Sequence, residues 1–139
     1  MTKSVFWTSA WILMISFIVM NFQSQAESLK EYLWTNRVII TFSTALENNE
    51  RQLLLKQIAT DHCEYRKRDL VHIDLIKGSD EYGRLIHKFT ISDRTEFKMI
   101  LIGKDGKVKL NSNSGDLKAI FSVIDTMPMR KKEMQIGKC

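Results

Sequence analysis

The chain has 139 residues, 44% of them hydrophobic and 27% charged, with two Cys, one Pro and a formal net charge of +5. This composition excludes a disordered chain, a collagen-like repeat and a disulfide scaffold, because those need fewer apolar residues, a glycine period or many cysteines. The basic excess is small and mixed with acidic residues, so we expect no nucleic-acid partner.

The N-terminal segment has the pattern of a secretory signal peptide. From Ser4 to Ala26 there is no charged residue, and the apolar run Val5–Phe22 is followed by the small-x-small sequence Ser24-Gln25-Ala26. We therefore predict that residues 1–26 are a signal peptide cleaved after Ala26, and that the protein is exported to the periplasm or the extracellular space. An uncleaved membrane anchor is the alternative, since the run approaches the length that crosses a bilayer.

Residues 27–139 are long enough for one hydrophobic core and predict a single domain. Helical and strand-like patterns alternate along them. In chain order these are a short helix Leu29–Asn36, a buried strand Arg37–Phe42, a polar loop Ser43–Asn49, a helix Glu50–Tyr65 capped at Asn48 or Asn49, a strand Leu70–Ile76, a helix Asp80–Phe89, two strands Phe97–Ile102 and Val108–Leu110 joined by the turn Gly103–Gly106, and a helix from Ser114 to Met127-Pro128.

The order of these elements predicts the sheet. A helix between the first two strands implies that they are parallel, whereas Asp105-Gly106 between the last two favours an antiparallel hairpin. We expect the first strand at the centre, between Leu70–Ile76 and Phe97–Ile102. The predicted fold class is α/β, a thioredoxin-like three-layer sandwich with a four-stranded mixed sheet and helices on both faces.

Four segments resemble a known family. They are Leu29–Arg37 (LKEYLWTNR), Arg68–Val71 (RDLV), Ile102–Lys109 (IGKDGKVK) and Asp125–Glu133 (DTMPMRKKE), and together they span nearly the whole predicted domain. The family that they resemble is catalogued as domain of unknown function 4174. The resemblance implies a thioredoxin-like fold distantly similar to peroxiredoxins, found in small exported bacterial proteins and in modules of animal extracellular-matrix proteins. The family has no established activity, so no catalytic residue is transferred.

The usual redox site of a thioredoxin-like enzyme is not visible in the sequence. Its thiolate follows the first strand at the N-terminus of the next helix, where the helix dipole lowers the thiol pKa. Here Ser43–Asn49 reads STALENN, and the Pro expected before the third strand, near Thr95 or Glu96, is missing. We therefore favour a non-catalytic binding or interaction module over an enzyme. The alternative is an atypical thiol oxidoreductase or peroxiredoxin-like enzyme that uses Cys63.

The two cysteines allow several interpretations. Cys63 is predicted in the last turns of its helix, where the dipole disfavours a thiolate, and we interpret it as a partly buried small hydrophobe. Cys139, the last residue, could pair with Cys63, pair between chains or stay free. No metal or cofactor is predicted, because the consecutive Asp61-His62-Cys63 point about 100° apart on a helix, and His72 and His87 lack ligand spacing.

The segment Met127–Glu133, in a short basic C-terminal tail, is the candidate interaction site. Its candidate contact residues are two flexible apolar side chains and three consecutive cations: Met127, Met129, Arg130, Lys131 and Lys132. Pro128 is expected to stop the preceding helix. Such a segment suits an acidic protein or an anionic envelope component, with membrane contact only through the signal segment if that is uncleaved. The alternative is that both Met side chains close the core while the cations are solvated at the helix end.

Overall fold

The computed structural model describes residues 28–134. The predicted signal peptide and Cys139 lie outside these residues. The elements are α1 (Ser28–Glu31), β1 (Arg37–Ser43), α2 (Asn49–Thr60), α3 (His62–Lys67), β2 (Leu70–Ile76), α4 (Asp80–Lys88), β3 (Phe97–Ile102), β4 (Val108–Ser112), α5 (Leu117–Asp125) and α6 (Pro128–Glu133). Within the described range, no helix is long and apolar enough to cross a bilayer.

The sheet has the predicted topology. Its four strands lie in the order β2-β1-β3-β4, with β1 and β2 parallel and the other two neighbours antiparallel. Every residue of β1 is buried, as expected for a central strand that is covered on both faces and paired on both sides. The prediction that β1 is the centre of the sheet is therefore confirmed.

Alternation along β1 divides the core between the two faces of the sheet. Ile39 packs with residues of α2, α3 and α5, whereas Val38, Ile40 and Phe42 pack with residues of α4. The first face carries Leu54, Tyr65, Leu117, Ile120 and Ile124 from its helices, and the second carries Tyr82 and Ile86. Helices thus cover both faces, as the three-layer prediction requires.

Two helices differ from the prediction. The helix expected over Glu50–Tyr65 breaks at Asp61, and α3 restarts at His62. The sequence Thr60-Asp61-His62 consists of weak helix formers, and the break turns Tyr65 into the core while His62 is exposed. At the other end, Pro128 opens α6 rather than a loose tail. A proline suits the first position of a helix, because its missing N–H would have no helical partner there.

Candidate functional site

The loop after β1 occupies the position where a thioredoxin-like enzyme carries its thiolate. It begins at Ser43, ends at the N-cap Asn48, and contains no cysteine. Arg51 Nη1 and Gln52 Nε2, both from the first turns of α2, donate to the carbonyl of Leu46 at 2.7 Å each. The loop is therefore held down by its own helix.

A polar network beneath this loop joins β1, β2 and α2; we call it the loop network, and its members are Thr41, Arg51, His72 and Asp74. The Thr41 hydroxyl donates to Asp74 Oδ1 at 2.9 Å, and Arg51 donates to the same carboxylate from Nε at 2.9 Å and from Nη2 at 2.6 Å. His72 Nε2 lies 2.9 Å from the Thr41 oxygen. Because Thr41 gives its only proton to Asp74, it must accept from His72, so Nε2 carries the imidazole proton.

The loop network fixes geometry and offers no nucleophile. The Thr41 oxygen is engaged on both sides, and its residue is fully buried. Burial lowers the pKa of His72, with the Asp74 charge opposing that shift and the Arg51 charge adding to it. The buried Ser43 hydroxyl has no hydrogen-bond partner among the described residues. The arrangement supports the loop, because the Arg51 guanidinium donates two N–H groups to the Asp74 carboxylate and neutralises its charge.

Cys63 does not lie where the sequence predicted. It is the second residue of α3, in the first turn of a short helix rather than the last turns of a long one, and it is exposed rather than partly buried. Its sulfur is disulfide-bonded. Both corrections follow from the helix break at Asp61, which the hydrophobic periodicity of the region did not reveal.

Charged side chains converge at the opposite end of the sheet, where β1 and β2 begin. Arg37 is 1% exposed and donates to Glu133 at 3.0 Å and to the carbonyl of Arg68 at 2.9 Å. The ammonium of Lys104, from the β3–β4 turn, bonds Glu133 at 2.7 Å and Asp69 at 2.8 Å. A cation from β1 and a cation from the β3–β4 turn therefore share one carboxylate supplied by α6.

A second group of ion pairs adjoins the first through Arg68. Its guanidinium bonds Asp125 at 2.7 Å and Glu64 at 2.9 Å, and lies 4.1 Å from the centre of the Phe121 ring. Arg130 bonds Asp125 at 3.3 Å and the carbonyl of Lys67 at 2.7 Å. The two groups together are called the ionic cluster: Arg37, Glu64, Arg68, Asp69, Lys104, Asp125, Arg130 and Glu133.

The four segments that carry the family resemblance meet in the ionic cluster. Leu29–Arg37 supplies Arg37, and Arg68–Val71 supplies Arg68 and Asp69. Ile102–Lys109 supplies Lys104, and Asp125–Glu133 supplies Asp125, Arg130 and Glu133. Segments distant in sequence are thus neighbours in space, at the end of the sheet away from the loop network.

The predicted contact residues of the C-terminal segment separate into two groups. Arg130 is only 6% exposed and belongs to the ionic cluster, and Met127 is half-buried against the core. Met129, Lys131 and Lys132 are exposed. The expectation of three solvated cations in a row is therefore wrong for Arg130, because the helix that starts at Pro128 turns Arg130 and Glu133 inward on one side.

An exposed tryptophan stands at this same end. Trp34 has a φ of 66°, in the left-handed region that side chains other than glycine seldom adopt, and is 63% exposed. Its backbone N–H donates to the carbonyl of Lys104 at 2.7 Å. The exposed Leu33 side chain lies against Gly106 of the same turn. Its Cδ1 is 3.0 Å from the point where a side chain on Gly106 would begin. Both side chains are held at the surface by the β3–β4 turn.

Sequence reasoning missed both polar groups. His72 and Asp74 alternate along β2, so their common face could have been identified, but their partners Thr41 and Arg51 are distant in sequence. The ionic cluster carried a weaker signal, namely a charged residue in each segment of the family resemblance. Over residues 28–134, no three His, Cys, Asp or Glu side chains come together as metal ligands.

The fold is that of the thioredoxin-like proteins, and solved structures similar to it include peroxiredoxins. The reduced 2-Cys peroxiredoxin of Plasmodium vivax is similar with a TM-score of 0.59 and 12% identity, over 75% of this chain and 84% of that one. Thioredoxin peroxidase I of Plasmodium yoelii is similar with a TM-score of 0.56 and 13% identity, over 75% and 79%. At such low identity the likeness establishes the architecture alone.

The family model for a domain of unknown function (DUF4174) matches residues 28–133. The chain belongs to this family. The match begins with α1 and ends at Glu133, so it includes every member of the ionic cluster.

Proposed function

We propose that this protein is an exported, non-catalytic thioredoxin-like module that binds an acidic segment of a protein partner. One observation carries the proposal: the loop and the first turn of α2, where the fold would place a reactive thiolate, contain no cysteine, and Arg51 of that turn is ion-paired with Asp74 of β2. Because Arg51 and Asp74 are already paired with each other, neither is available to activate a nucleophile.

The disulfide state of Cys63 supports the same proposal. The thiolate is the reactive form of cysteine, and a sulfur in a disulfide has no thiolate to offer while the bond is intact. Cys63 also lies on α3, beyond the helix that follows β1. The dipole of α2 therefore does not act on it as it would on a thiol in the loop.

The binding surface that we propose lies at the ionic end of the sheet. We call it the α6 surface, and it consists of Trp34, Met129, Lys131 and Lys132. Arg130 and Glu133 fix α6 against the sheet, so the outward residues of this short helix are presented on a rigid support. Exposed aromatic and methionine side chains beside cations suit a partner with acidic residues around an apolar one.

A protein partner fits this surface better than an anionic membrane. Attraction to an anionic bilayer contributes about 1 kcal/mol for each nearby Lys or Arg, and segments that bind it carry roughly four to eight such residues. On α6 the exposed cations are Lys131 and Lys132, because Arg130 is buried. Two lysines suffice to orient an acidic partner, and apolar contacts with Met129 then add affinity.

The absence of thiol catalysis is tested by peroxide and disulfide reduction assays on the exported protein. Wild type and Cys63→Ser should both show only the background rate of a chain without a redox site. A rate above background that disappears in Cys63→Ser would establish the atypical thiol enzyme instead.

The binding surface is tested by site-specific photo-crosslinking in the exporting host. A photoreactive residue replaces Met129, which is 41% exposed, and in a matched control it replaces Leu53, which is 42% exposed on α2. A discrete crosslinked species should form at Met129 and be absent at Leu53. It should weaken in Lys131→Gln/Lys132→Gln and persist in Lys56→Gln/Lys118→Gln, which removes two other exposed lysines. Equal crosslinking at both positions would exclude the α6 surface.

A further inference from the structure

Among residues 28–134, the outer edge of β2 is an unpaired strand edge. Arg37 N donates to Asp69 O, and Lys77 N donates to Ser43 O, which fixes the phase of the parallel ladder with β1. Because alternate residues of a strand bond to the same neighbour, the N–H and C=O groups of His72 and Asp74 point away from β1. Within the described part of the chain, no hydrogen bond reaches these outward groups.

The two edges of the sheet differ in protection. The β4 edge has the features that discourage pairing, namely Lys109 on the strand and an irregular register at Leu101/Ile102. The β2 edge reads LVHIDLI over seven residues and contains no Lys, Arg, Pro or Gly. A strand of this composition and length is suited to main-chain pairing with another strand.

The sequence of β2 is complementary to itself in one antiparallel register. Centred on Ile73, a second β2 places His72 opposite Asp74 of the other copy, and Val71 opposite Leu75, so all seven residues are paired. His72 and Asp74 are both outward-facing, so each opposed pair can exchange its N–H and C=O hydrogen bonds.

Other registers are worse. A shift by one residue sets outward groups against inward ones, and no ladder forms. A shift by two residues in one direction sets Asp74 against Asp74, and like charges directly opposite destabilise a strand pair. The opposite shift sets His72 against His72. The register centred on Ile73 is therefore favoured because it pairs all seven residues and sets no Asp74 against another Asp74.

We propose that a second copy of this chain pairs with the β2 edge, antiparallel and centred on Ile73, so that two four-stranded sheets join into one continuous sheet. The two-fold axis then passes beside Ile73, and each Asp74 has His72 of the other copy as its opposite neighbour.

The dimer is tested first on the wild-type exported protein. Light scattering after size-exclusion chromatography should give twice the mass of one chain at high concentration. Residue-resolved hydrogen exchange should then show the amides of His72 and Asp74 protected, and protection should decline as dilution returns the protein to monomer. The Asn111 amide, which the same alternation directs outward from β4, should exchange fast throughout. A single-chain mass at every concentration would overturn the proposal.

A pair of proline variants tests which edge pairs. His72→Pro removes an outward N–H of β2 and leaves the main-chain bonds to β1 in place, although the side-chain bond to Thr41 is lost. Asn111→Pro likewise removes an outward N–H of β4 and leaves its main-chain bonds to β3 in place. His72→Pro should halve the measured mass, and Asn111→Pro should leave the dimer intact. The opposite result, or a dimer that survives His72→Pro, contradicts pairing through β2. If His72→Pro does not fold, wild-type exchange decides alone, because protection at Asn111 instead of His72 and Asp74 is also a refutation.

Discussion

Polar side chains stabilise the two ends of the sheet in different ways. At the C-terminal end of β1, one carboxylate, Asp74, is shared by Thr41 and Arg51, and the loop network fixes only the adjoining loop. At the N-terminal end the ionic cluster joins β1, the residues just before β2, the β3–β4 turn and three helices, and Arg37 and Glu133 are 96 positions apart in the chain. The segments of the family resemblance lie at the ionic end, whereas thioredoxin chemistry would lie at the loop end. At the ionic end these side chains hold α6 against the sheet.

Damage to the strand that both ends share should have the largest effect. Ile40 is fully buried in the middle of β1. Truncation of such a residue removes apolar contacts and leaves a cavity, so Ile40→Ala should lower the free energy of unfolding by about 4 kcal/mol. Urea denaturation measures this loss. A change below about 1 kcal/mol would mean that β1 is not the packed centre of the sheet.

Removal of Glu133 should destabilise the ionic end nearly as much. Glu133→Ala leaves Arg37 and Lys104 without their shared carboxylate, and an unpaired buried charge costs about 3 kcal/mol or more. Glu47→Ala, which removes an exposed carboxylate from the loop, is the control and should change stability by less than about 0.5 kcal/mol. Equal small effects of both changes would show that the ionic cluster contributes nothing to folding.

Removal of Asp74 should have a smaller and more local effect. Asp74→Ala deletes the acceptor for Thr41 and Arg51, and a hydrogen bond to a charged group is worth about 1.5 to 3 kcal/mol. Because Asp74 is partly exposed, we expect the lower end of that range. Hydrogen exchange should accelerate in the loop 43–48 and stay unchanged in α6. Faster exchange in α6 would show that the two ends are not independent.

The smallest expected effect is in the pH dependence of stability, where the two ends of the sheet should respond over different pH ranges. The His72 pKa is lowered in the folded protein from 6.5, chiefly by burial, so the unfolded chain binds the proton first. Stability from this group is present above pH 6.5 and declines as the pH falls below it. Burial by itself raises the pKa of Glu133, whereas the hydrogen bonds from Lys104 and Arg37 lower it. The lowering is larger, so the net pKa lies below the usual 4.5. The ionic end should therefore weaken only below about pH 4.5.

A single variant assigns the upper part of this pH profile. His72→Gln retains a donor for Thr41 and removes the titrating ring, so its stability should no longer decline just below pH 6.5. Urea denaturation at a series of pH values measures the slope. A slope that persists in His72→Gln would show that the titration of His72 is not its source.

The sheet was predictable from sequence because its signals are local. The β-branched run of β1, the Asp105-Gly106 turn and the alternation of β2 each depend on neighbouring residues, and strand order followed from connection rules. The break at Asp61 was missed because helical periodicity continues through it. Arg130 was expected in solvent because its partners, Lys67 and Asp125, become visible only when α3, α5 and α6 are assembled. Long-range ion pairs leave no periodic trace in a sequence.

The wide separation of Arg37 and Glu133 along the chain has a consequence for synthesis. A ribosome releases β1 long before α6, so Arg37 and Lys104 have no shared carboxylate until the last described helix has emerged. Until then, Arg37 would be buried without a carboxylate partner. Such an unpaired buried charge is costly, so this end of the sheet is disfavoured from packing early. The nascent chain should thus stay incompletely folded until its C-terminal segment is available, and α6 acts as the final step that commits it to the native state.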